Sequence, residues 1–137
     1  MKLETRGGGV LNTNEHRCHT ARAKYSRRNG LLQVDYTGPI TLDTMEFFER
    51  RLLPDRRAST AFIDRLDTAI VLFAGPVRFT EGIYLKGMPP SAVIVPDDQM
   101  DRAIEFCSAL GRAGVIRTAW LPEHLEHARH WCVSVGA

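Results

Sequence analysis

Two groups of residues in this 137-residue chain have the chemistry to bind a metal or carry a reaction. Asp97, Asp98 and Asp101 cluster just after the apolar run "SAVIVP", and Asp64 ends another short apolar run, "STAFID". In an α/β sheet, ligands sit at the carboxyl ends of strands, so carboxylates placed there have the chemistry to hold Mg²⁺. The same residues serve equally as helix caps, because a carboxylate at a helix start accepts backbone N–H bonds and faces the positive end of the dipole. Capping is the favoured reading. His124, His127 and His130 recur every three residues near the C-terminus. On a helix the outer two lie about 120° apart, so His124 and His127 could share an ion but three imidazoles do not converge on one easily, and surface positions are expected. No metal site follows. The sequence holds no nucleophile elbow, no phosphate-binding loop and no dinucleotide fingerprint, so no cofactor is implied.

The elements that must position these residues read from the periodicity. "TARAKYS" and "LLQVDYT" each alternate apolar with polar residues, and Asn29-Gly30 between them tolerates the positive φ of a type I′ turn. That turn pairs Tyr25 with Val34 and Ala23 with Tyr36, which puts both apolar sets on one face. Gly38-Pro39 should stop the second strand. A helix is then expected, capped by Asp43 with Glu46, burying Met45, Phe48 and Leu52 and ending at Pro54. "STAFID" reads as a buried strand, and residues 65–88 as a loop followed by a poor helix over 80–86. "SAVIVP" is a strand covered on both faces. It leads to a helix with Met100, Ala103, Ile104, Cys107 and Leu110 on one stripe and Gly111 or Gly114 at its end. A last strand, "VIRTAWL", and a helix from Pro122 that buries Leu125, Ala128 and Cys132 complete the chain. Trp120 and Trp131 are expected to pack rather than bind.

Composition sets the bounds. Hydrophobic residues make up 44% and charged residues 25%, as in a globular domain. No apolar run approaches a membrane span, and no early stretch reads as a secretory signal. Three widely spaced cysteines favour free thiols, so a cytoplasmic location is expected. Residues 1–30 carry seven Lys/Arg against two acidic residues, whereas the remainder carries eleven against fourteen. Residues 1–18 are expected to form a flexible basic tail, and residues 19–137 the domain. With no aromatic before Tyr25, that tail lacks the stacking platform of a nucleic-acid binder.

The order hairpin, "YTGPIT" into a capped helix, "FID", "PPSAVIVPDD" into a helix, and a strand–helix ending in "HARHW" resembles the SpoIIAA-like or STAS group. These are the sulfate transporter and anti-sigma factor antagonist domains, and the likeness covers about residues 19–132. It implies an α/β fold: a mixed sheet with an N-terminal β-hairpin, then parallel βα units with helices mostly on one face. It also implies a non-catalytic regulatory module that binds another protein, in a bacterial cell. The family's regulatory hydroxyl follows the third strand in a segment resembling Asp-Ser-Ser-Gly. Here Thr68 is the only hydroxyl in "FIDRLDTAIVLFAG", and Asp64 and Asp67 would repel a phosphate on it. The candidate partner surface spans residues 64–88 and includes Asp64, Arg65, Asp67, Thr68, Arg78, Phe79 and Tyr84. An alternative use of Ile70–Phe73 with Phe79, Ile83 and Tyr84 is a pocket for a lipid-like or nucleotide ligand. A Mg²⁺-dependent enzyme built on Asp64 with Asp97 and Asp98 is the third reading. A homodimer is compatible with all three.

Overall fold

A computed structural model describes residues 13–72 and 87–136. Seven strands form one sheet: β1 (Thr13–Cys18), β2 (Ala21–Arg28), β3 (Leu31–Ile40), β4 (Ala61–Arg65), β5 (Ala69–Val71), β6 (Ser91–Ile94) and β7 (Arg117–Trp120). Their order is β1-β2-β3-β4-β6-β7, with β5 paired to β3 beyond β4. The first three are antiparallel, and β3, β4, β6 and β7 run parallel. Helix α1 (Leu42–Ala58) links β3 to β4, α2 (Met100–Arg112) links β6 to β7, and α3 (Leu125–Gly136) ends the chain. This is the mixed α/β sheet expected, with a hairpin leading into parallel βα units.

Strand alternation divides the core between the two faces. Leu32, Val34, Tyr36, Phe62, Leu66 and Val93 pack on one face with Met45, Phe48 and Leu52 of α1 and Ala103 of α2. Ala61, Ile63, Ala92 and Ile94 point the other way, onto Ala128 and Cys132 of α3. Two helices of three therefore share a face. Burial pushes the Cys132 thiol up to about 12, so it packs as a small apolar group. Among the described residues no helix is long and apolar enough to cross a membrane.

The β2–β3 hairpin is the one anticipated. Asn29 and Gly30 have φ of 53° and 84°, and the register sets Tyr25 against Val34 and Ala23 against Tyr36. Several expectations need correction. Residues 13–18, placed in the basic tail, form β1. The chain reverses at His19 (φ 58°) without glycine, and His16 stacks on Tyr25 at 5.0 Å. Residues 1–12 lie outside the described set. Gly38-Pro39 does not stop β3: pairing with β2 ends at Thr37, so no ladder bond is required of Pro39 on that side. The strand continues to Ile40, whose carbonyl accepts from Leu72 N at 2.8 Å. This pairing creates β5 inside the segment expected to be loop; the helix anticipated over 80–86 lies outside the described residues.

The remaining corrections concern helices. Helix α1 is capped by Thr41, which accepts from Thr44 N at 3.2 Å, and it passes through Pro54. That proline is exposed, on the solvent side where a helix can bend outward, while Arg56 beyond it is anchored in the core. Asp97 and Asp98 are not side-chain caps. A 3₁₀ turn at Asp97–Gln99 satisfies the entry to α2 through the backbone, with Gln99 N donating to Pro96 O at 3.0 Å. On α2 itself Ile104 is 51% exposed and Phe106 is buried in its stead. The helix ends at Arg112, and Gly114 just beyond its C-cap Ala113 takes the left-handed conformation, with φ 89°.

Gly38 and Gly30 both sit at positive φ, but only Gly38 faces backbone. A Cβ there would lie 2.6 Å from Thr20 O, whereas at Gly30 it would meet the rotatable Thr60 side chain at 2.8 Å. Gly38→Ala should therefore cost about 2 to 3 kcal/mol and Gly30→Ala about 1 kcal/mol, read from urea midpoints. Equal losses would contradict this packing.

Candidate functional site

Asp64, second to last in β4, alternates onto the same face as Phe62 and so points beneath α1. Its carboxylate is 2% exposed. Oδ2 accepts from Arg56 Nη1 at 2.7 Å and from Arg117 Nη2 at 3.0 Å. Arg56 arrives from the last turn of α1, and its Nη2 also donates to Tyr36 Oη at 2.7 Å and to Glu49 Oε2 at 3.1 Å. Arg117, from β7, donates to Ser91 Oγ at 2.8 Å. The Phe62 ring lies under the Arg56 guanidinium at 4.5 Å. Among the described residues, two guanidinium groups and two carboxylates thus meet in a buried site.

Each member is placed by periodicity. On α1, Met45, Glu49, Leu52 and Arg56 recur at four, three and four residues, one stripe turned toward the sheet. Tyr36 follows Val34 and Leu32 on the inward face of β3, and Arg117 leads β7 with its side chain inward. Burial, chiefly, and the nearby Asp64 charge push the Tyr36 phenol well above its ordinary range. The hydroxyl form of Tyr36 is thereby favoured, and its oxygen accepts from Arg56.

A carboxylate bound in this way is poorly suited to chemistry. Two arginines hold its charge in place, and losing either would leave a buried charge exposed to a low dielectric. The other acidic candidates do not join it. Asp97, Asp98 and Asp101 are exposed at the start of α2, and among the described residues no three His, Cys, Asp or Glu side chains gather as a metal site. His124, in the turn just before α3, and His127 touch edge to face at 5.8 Å, and both are exposed, as is His130. Trp120 packs against Trp131 at 6.4 Å.

The remaining candidates occupy the turn from β4 to β5. Arg65 grips Asp67 through Nη2 at 2.8 Å and Nε at 3.3 Å; that bond raises the guanidinium above its usual range against the lowering effect of burial. Thr68 Oγ1 donates to the Tyr36 carbonyl at 2.7 Å, so its hydroxyl fastens the turn to β3. Beyond it, Ile70 is 62% and Leu72 58% exposed on and just after β5. Arg65, Asp67 and Thr68 are thus brought together, whereas Asp64 lies beneath them in the core. Arg78, Phe79 and Tyr84 lie outside the described residues, as do Phe73 and Ile83.

Sequence reasoning missed Glu49, Arg56, Tyr36 and Arg117 as a unit. The available signal was charge at inward positions: Glu49 on the apolar stripe of α1, and Arg117 at an inward position of "VIRTAWL".

No protein-family model matches the chain, and no curated protein does. Among solved structures, the chain is similar to a Thermotoga maritima protein described as a candidate anti-sigma factor antagonist. The TM-score is 0.49 at 14% identity, over 77% of this chain and 92% of that one. No property of that protein is carried to this chain by so distant a likeness.

Tyr36→Phe removes only the hydroxyl that Arg56 addresses, so it should lower unfolding free energy by about 2 kcal/mol, the scale of a hydrogen bond to a charged group. Chemical denaturation would measure it. A loss below about 0.5 kcal/mol would mean that the hydroxyl contributes little to the cluster.

Proposed function

We propose that this chain is a non-catalytic, STAS-like binding module whose partner is another protein. Its contact surface is the end of the sheet formed by the β4–β5 turn and β5. The observation that carries the reading is the contrast at that end. The carboxylate near the end of buried β4, Asp64, is held by two arginines, while Ile70 of β5 and Leu72 just after it stand out into solvent on a segment fixed to β3. Fixed apolar side chains beside a polar turn are what a protein interface offers, and binding residues concentrate on such scaffold-held loops. The hydroxyl of Thr68 is engaged with the backbone, which supports constitutive binding rather than control by phosphorylation.

The test is capture of partner from the source cell, with the retained protein identified by mass spectrometry. Ile70→Asp/Leu72→Asp should abolish retention of that protein, and Arg65→Glu should weaken it. Because these are surface changes, each variant should melt within about 0.5 kcal/mol of the parent. Retention unchanged in the double variant would overturn the assigned surface. A Mg²⁺-dependent turnover that disappears in a fully folded Asp97→Asn/Asp98→Asn variant would overturn the non-catalytic reading.

A further inference from the structure

The two ends of the sheet are built differently. At one end β1 sets Glu15 and Arg17 on its solvent face, joined as an ion pair that Arg22 of β2 approaches. Charges of this kind keep an open edge from recruiting another strand. At the other end no strand lies beyond β7 among the described residues. The charged residue of β7, Arg117, sends its guanidinium into the core, to Ser91 and Asp64. Ile116, Thr118, Ala119 and Trp120 are uncharged, and Ile116 is 56% exposed. Trp131 stands behind Trp120, so the shelf beside this edge is aromatic.

The backbone fixes how such an edge can be used. Ile116 O accepts from Ser91 N, and Trp120 O from Val95 N, each at 3.0 Å. Residues 116, 118 and 120 therefore turn their peptide groups toward β6, and alternation turns those of residues 117 and 119 to the outer side.

We propose that β7 pairs antiparallel with β7 of a second copy of this chain, about a twofold axis through Thr118. In this register residue 117 of each copy lies opposite residue 119 of the other, and the two pairs exchange four backbone hydrogen bonds. Thr118 meets Thr118 of the second copy at the close, non-hydrogen-bonded position, and Ile116 meets Trp120 on the same face. Thr–Thr and aromatic–β-branched pairs are among the stabilising cross-strand combinations. A slip of one residue would place the outward peptide groups opposite inward ones and reverse the faces. No like charges are opposed, since the Arg117 guanidinium keeps its core partners. The contact is isologous and closes at two copies. It uses the end of the sheet opposite β1, and does not depend on the function assigned to β5.

Sedimentation equilibrium of the full chain should show a reversible dimer at about 100 µM. Ala119→Pro removes an N–H directed outward, at an edge position where proline is tolerated, and should yield a monomer with an unaltered melt. Ile116→Lys, which adds a charge at the edge, should do the same and stands in if the proline variant fails to fold. Thr118→Cys should cross-link on mild oxidation, because residues at that position approach to about 4.5 Å between Cα atoms. Ile116→Cys, displaced along the strand from its counterpart, should not cross-link above the parent. A parent that remains monomeric would overturn the proposal. So would a dimer that Ala119→Pro and Ile116→Lys leave intact, or in which Thr118→Cys fails to cross-link.

Discussion

The structure depends on one carboxylate oxygen that two arginines share. Asp64 Oδ2 binds Arg56 from α1 and Arg117 from β7, so a single atom ties the helical layer to a strand two places away in the sheet. Burying four charges is costly, and such clusters seldom add net stability over an apolar core of the same volume. What they impose is geometry. A hydrophobic stripe tolerates a helix sliding or rotating over a sheet, whereas guanidinium groups that must meet Asp64, Glu49, Tyr36 and Ser91 allow few positions. The cluster accounts for the anchoring of the last turn of α1 to β4 through Arg56 and Asp64, and for the inward-facing arginine of β7.

The same requirement explains the passage of α1 through Pro54. Proline deprives a helix of one hydrogen bond and crowds the preceding turn. Here the turn beyond it carries Arg56, whose bonds to Asp64, Tyr36 and Glu49 form only if the helix continues. Ser59 then closes the end, its hydroxyl donating to Arg56 O at 2.7 Å. Tertiary contact overrides the local preference, and the proline lies on the exposed side, where solvent can satisfy the freed carbonyl.

That override marks the limit of what was legible in the sequence. The β2–β3 hairpin could be read to the residue because Asn29-Gly30 admits one turn and the alternation admits one register. The inward rows of β4 and β6 followed from continuous apolar runs. By contrast, β1 and β5 consist of ordinary polar or short segments whose strand character comes from the neighbour they join: Cys18 against Ala21, and Ala69 against Gly38. Neither has a periodic signal of its own. Asp64 was legible as a strand-end carboxylate, but its role was not. The charges that neutralise it lie 8 residues before and 53 residues after it in the chain, a pairing that no local pattern reveals.

A double-mutant cycle on Asp64→Leu and Arg117→Met tests most directly whether the cluster acts as one unit. Each single substitution removes one buried charge and leaves its opposite less well compensated, and should cost about 3 to 5 kcal/mol of unfolding free energy. The double substitution removes one charge of each sign and leaves Arg56 balanced by Glu49, so its cost should fall short of the summed singles by at least about 2 kcal/mol. Losses that add to within about 0.5 kcal/mol would contradict a shared carboxylate as the constraint on this fold.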